Sequence, residues 1–142
     1  MLTTYIYWIS TALLAALYLL SAFVYVTKAS WVRETLSGLG YPTYLLPVMV
    51  LIKIAAVFAI VTRFNVGVSD LAYAGILYHL ILSGMAHLGV RKPASALPAV
   101  IGLALLSASF GTQNTARDLP SPYAPAAIAL AHANADQIKE RI

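Results

Sequence analysis

Residues Tyr44–Thr62 read YLLPVMVLIKIAAVFAIVT, an apolar block that carries a single charge, Lys53, at its centre. At about 1.5 Å of rise per residue, a helix of this length just crosses the roughly 30 Å hydrocarbon core of a bilayer. The block is bounded by the Gly40-Tyr41-Pro42 turn signal on one side and by Arg63 on the other. Both flanks stop a helix where a span should stop.

Outward from this block the pattern repeats. Leu2 to Val26 contains no charge and is followed by Lys28, Leu71 to Val90 contains two histidines and no Lys, Arg, Asp or Glu, and Ala94 to Phe110 follows the break Arg91-Lys92-Pro93. Four spans are expected, over about residues 4–26, 44–62, 71–90 and 94–110. They make residues 1–112 one transmembrane domain of all-α class. The connections are short, so successive spans are expected to be antiparallel neighbours in an up-down-up-down bundle. Between the first two spans, Ser30 is expected to cap a short interfacial helix with the apolar stripe Val32, Leu36 and Leu39. Ser69-Asp70 is expected to start the third span.

Residues 113–142 read as a polar tail, bent at Pro120, Pro122 and Pro125 and ending in an Ala-rich helix. Its narrow stripe of Ile128, Ala131, Ala135, Ile138 and Ile142 either docks on the bundle or a second copy, or stands in water.

Composition agrees with lipid as the solvent. The chain is 61% hydrophobic and 10% charged, against about a quarter charged in ordinary domains. With zero cysteines, disulfides, thiolate metal ligands and thiol relays are excluded. The formal charge of +4 comes from scattered basic residues, which fits membrane flanks and argues against nucleic acid as a partner. No basic residue precedes the first block, and the block is too long for a signal peptide, so it is expected to be a retained span. Aromatics suggest two belts, Tyr5, Tyr7, Trp8, Phe64, Tyr73 and Phe110 at one boundary and Tyr25, Trp31, Tyr41 and Tyr44 at the other. The connections at the second boundary hold Lys28, Arg33, Arg91 and Lys92, against Arg63 and Arg117 at the first. Both termini are therefore expected to be extracytoplasmic.

Lys53 is the residue most in need of explanation. It lies about 13 Å of helix rise from either end of its span, too far to snorkel comfortably, and a central lysine costs about 2.5–3.5 kcal/mol on insertion scales. No Asp or Glu lies within any expected span to offset that cost. Counting along the antiparallel third span places His79 at the same depth. The same face continues through Ser83 to His87 at steps of four, with Tyr78 beside it. Lys53, Tyr78, His79, Ser83 and His87 are the candidate intramembrane pocket, with interhelical hydrogen bonding as the alternative reading. The two histidines stand about 12 Å apart along the axis, so no metal site is expected.

Several of these elements also carry a resemblance. Ser21-Ala22-Phe23 before Lys28, the Leu39-Gly40-Tyr41-Pro42-Thr43-Tyr44 turn and the mid-span Lys53 come first. Ala72-Tyr73-Ala74-Gly75 and Ser83-Gly84-Met85-Ala86-His87-Leu88 follow in order. Together, from about Leu13 to Ser109, they resemble the DoxX-like family. The resemblance implies a small four-helix membrane protein. Its members are described as membrane subunits tied to thiosulfate or quinone oxidoreduction, as partners in oxidative-stress complexes, and as assembly chaperones.

Two functions are therefore expected to compete. In the first, the chain is an accessory or assembly subunit of a membrane complex, or a homo-oligomer, with no catalysis of its own. In the second, it binds a quinone or another lipophilic carbonyl compound at Lys53 and His79 and forms part of a quinone-linked oxidoreductase. A bacterial inner membrane is the expected location.

Overall fold

The computed structural model describes the backbone of residues 1–142 and every side chain except those of residues 127–131. Six α-helices run in the order α1 (Leu2–Thr27), α2 (Ala29–Gly38), α3 (Leu45–Thr62), α4 (Val66–Gly89), α5 (Leu97–Ala116) and α6 (Ala127–Arg141), with a 3₁₀ turn at Pro93–Ala96 before α5. Four helical segments, α1, α3, α4 and the turn with α5, are long and apolar enough to cross a membrane. Each is apolar on nearly all sides, as helices facing both lipid and one another are.

α1 packs against α3 and α5, and α4 packs against the same two helices. The bundle is therefore a square with α1 diagonal to α4, and each side of the square joins antiparallel neighbours. Leu14, Ala15 and Tyr18 of α1 meet Val57 and Ile60 of α3, Tyr73, Ile76 and Leu80 of α4, and Ala99 and Leu106 of α5 in the core. α5 comes close because Gly102 lacks a side chain. A Cβ there would stand 2.8 Å from Leu80 Cδ2 and 3.3 Å from Leu17 Cδ2.

α2 follows α1 after one non-helical residue, Lys28, and has no side-chain cap, so Ser30 is not the cap. Val32 and Leu36 bury against Leu46, Val24 and Tyr25, while Trp31 and Arg33 stay exposed. The helix thus lies across one end of the square, at the boundary. Gly40 turns the chain back with φ +84°, a conformation that favours glycine.

Two boundaries and one aromatic belt depart from the sequence reading. α4 starts at Val66 rather than near Leu71, because the Asn65 side chain accepts a 3.1 Å hydrogen bond from Val68 N–H and caps the helix a turn earlier. α5 runs on to Ala116, carrying Gln113 and Asn114 inside the fold. Tyr7 and Tyr73 are not belt residues: they are 0% and 3% exposed, and their hydroxyls find partners inside the bundle. In the tail, Ala135 and Ile138 of α6 and Ile142 just beyond it are exposed, so these members of the stripe do not dock on the bundle. Ile128 and Ala131 lie outside the described residues.

Candidate functional site

The middle of the bundle holds Lys53, only 3% exposed, on the inward face of α3. Its ammonium stands 4.7 Å from the ring centroid of Tyr18 and 5.1 Å from that of Tyr25, both on α1. Seven residues separate these tyrosines, two helical turns on one face, so they present two rings to the same cation. A desolvated cation–π contact is worth about 2 kcal/mol. Two of them are of the size needed to offset a central lysine. Aromatic faces thus take the place of the missing carboxylate.

Tyr18 also reaches across the diagonal. Its hydroxyl shares a 2.7 Å hydrogen bond with Nδ1 of His79 on α4, and the two rings meet edge to face at 5.6 Å between centroids. Lys53 and His79 therefore belong to one cluster, tied together by a tyrosine that lies on α1. The other expected pocket residues diverge. Tyr78 is 67% exposed and points away from this centre, because one residue along a helix turns the side chain by about 100°. Ser83 and His87 are half-buried further along α4, and His87 Nδ1 has no hydrogen-bond partner.

A second polar centre, which the sequence reading did not identify, closes the end of the bundle where the chain begins. Arg63 ends α3 in a left-handed conformation and donates to Gln113 Oε1 at 2.6 Å and to the Leu119 carbonyl at 2.7 Å. Arg117 donates to Tyr7 Oη at 2.9 Å and to the Val61 carbonyl at 2.8 Å, with its guanidinium stacked 4.6 Å from the Trp8 ring. Asn114 holds the segment after α5 as a strap: its amide donates to the Ser121, Ala124 and Pro125 carbonyls, and its Oδ1 accepts from Ser121 N–H. Ser121 in turn donates to Asp70 Oδ2 at 2.8 Å. Beneath the strap, Ser109 joins Thr11 and Tyr73 through two 2.6 Å hydrogen bonds, linking α1, α4 and α5.

The bundle also holds a cavity of about 530 Å³ between α4 and α5, at the strapped end. Leu71, Ala74, Leu77, Leu106 and Phe110 form its walls, with Asp70 and the strap residue Tyr123 among the lining. None of Lys53, Tyr78, His79, Ser83 or His87 lines it. Among the described residues, no three His, Cys, Asp or Glu side chains converge as a metal site would require.

The arrangement defines an integral membrane protein of four spanning helices, with a caged lysine at mid-depth and a polar plug at one end. Comparison with protein families gives the narrower placing: the model of the DoxX-like family matches residues 9–109, and the chain belongs to that family. The match begins inside α1, takes in α3, α4 and the Lys53 cluster, and stops inside α5 at Ser109, so the strap and α6 lie beyond it. No curated protein and no solved structure matches the chain.

Proposed function

We propose that this DoxX-like protein is an accessory or assembly subunit of a larger membrane complex, with no reaction of its own. The observation that carries the reading is the enclosure of Lys53. Its ammonium is packed between two aromatic rings, and the cavity lies elsewhere, lined by none of the ionisable mid-membrane groups. A cation so placed ties α1 to α3, while the Tyr18–His79 bond ties α1 to α4. This is the geometry of interhelical cohesion. A quinone site at Lys53 and His79 needs room for a ring beside them, and the cavity offers its room to other residues.

Outside this cohesive centre the helices present long apolar faces, among them Leu51, Ile54, Phe58 and Val61 of α3. These suit lipid or the spans of a companion subunit, a second copy included. A bacterial inner membrane is the proposed location, with both termini outside the cytoplasm. Extraction in native lipid particles followed by mass spectrometry tests the reading. A stoichiometric companion subunit is expected with the wild-type chain. Recovery of the chain alone, with a quinone bound whose retention is lost in Lys53→Leu, overturns it.

A further inference from the structure

Asp70 is the only carboxylate within the four spanning helices, and it sits in the second turn of α4, near the boundary where lipid headgroups begin. It is half satisfied. Oδ2 accepts from Ser121 at 2.8 Å, whereas Oδ1 is screened from water and has no partner. A carboxylate has about four acceptor sites, and a buried one without donors is costly. The basic residues at this end do not supply the donor, because Arg63 and Arg117 are turned to Gln113, Leu119, Tyr7 and Val61.

Asp70 also lines the α4–α5 cavity, whose other walls are almost wholly apolar. From Asp70 to Leu77 the groove follows two turns of α4, about 10 Å of depth from the boundary toward the bilayer centre. Its volume of about 530 Å³ lies in the range of small-molecule sites. Leu71 and Ser107 at its rim are exposed on the outer surface of the bundle, so it opens toward lipid. Tyr123, brought in by the strap, is the aromatic wall that the tail contributes.

We propose that this groove is a lipid site selective for a headgroup bearing a primary ammonium. An acyl chain lies along Leu71, Ala74, Leu77 and Leu106, and the ammonium pairs with Asp70, whose carboxylate turns about its terminal torsion to present the unpartnered Oδ1 to the groove. Sign and hydrogen-bond polarity both fit. A primary ammonium has three donors and no acceptor, a quaternary ammonium has charge without donors, and an anionic headgroup is repelled. The site stands apart from the Lys53 cluster and does not depend on the subunit role proposed above.

Native mass spectrometry of the full chain in detergent tests it, with phosphatidylethanolamine, phosphatidylcholine and phosphatidylglycerol of matched chains added at equal concentration. Retention of phosphatidylethanolamine at several-fold the level of the other two is expected. Asp70→Asn should level the three, and Ala74→Trp, which fills the groove while keeping Asp70, should reduce retention of all of them. Equal retention by the wild type, or preference for either competitor, overturns the proposal even if Asp70→Asn fails to fold. Unchanged retention in Ala74→Trp overturns the groove as the location.

Discussion

A cation buried in a membrane without a counter-ion has few ways to recover its lost hydration, and the Lys53 cage illustrates one that can be dissected atom by atom. Tyr18→Phe keeps the ring under the ammonium and deletes only the hydroxyl that meets His79. The expected loss is about 0.6 kcal/mol and no more than about 1.7, the span measured for interhelical hydrogen bonds in lipid, read from denaturation in mixed micelles. With His79→Ala already present, Tyr18→Phe should cost almost nothing more, since the pair is then broken in either case. Tyr18→Leu removes ring and hydroxyl together and should cost more. Combining it with Lys53→Met should restore much of the loss, because the cation that needed the ring is gone. If Tyr18→Leu is no worse than Tyr18→Phe, the cage does not hold the lysine. The depth of Lys53 and its match with His79 were legible in the sequence, because depth follows from counting residues along antiparallel spans. The partners were not. Helices that are apolar all round carry no face signal, so nothing in the spacing of Tyr18 and Tyr25 says which way their rings turn.

At the scale of elements, two contacts decide how the helices sit. α5 approaches the core through Gly102, and the side chains in the way of a Cβ are Leu80, buried at the centre, and Leu17. Gly102→Ala should therefore destabilise by about 1–3 kcal/mol through overpacking, measured in the same micelle assay. Leu80→Val in the same chain should return part of the loss by withdrawing the clashing methyl. The strap is the second contact. Asn114 meets the backbone of Ser121, Ala124 and Pro125, so Asn114→Ala leaves several buried backbone groups without that partner. Tryptic cleavage after Arg117 should become several-fold faster in that variant, while the four spans remain resistant; an unchanged rate would show that the strap is held by something else. The number and order of spanning helices followed from hydropathy and helix breakers alone. Gln113 and Asn114, by contrast, read as the polar exit from the last span. Their true role depends on a chain reversal at Pro120–Pro125 that brings carbonyls back to them, and that is a non-local event which local polarity does not encode.

For the molecule as a whole, an even number of crossings puts both chain ends on one side of the membrane, and the distribution of basic residues chooses the side. Lys28, Arg33, Arg91 and Lys92 are all exposed at the end that holds α2 and the 3₁₀ turn. The opposite end has Arg63 and Arg117, which the finished fold turns inward to the plug. Lys139 and Arg141 in α6 do not redress the balance. α5 ends at Ala116, and the rule counts basic residues only within about 15–20 residues of a span. The end with α2 should then face the cytoplasm, and the plug, the α4–α5 groove and α6 the other side. Because the chain has no cysteine of its own, single substitutions report this directly. Thr3→Cys and Lys139→Cys are expected to react with a membrane-impermeant maleimide added to intact cells. Arg91→Cys should react only after the membrane is opened. Labelling of position 91 in intact cells, with positions 3 and 139 protected, would invert the orientation, whereas labelling of 3 without 139 would contradict the four-span topology itself.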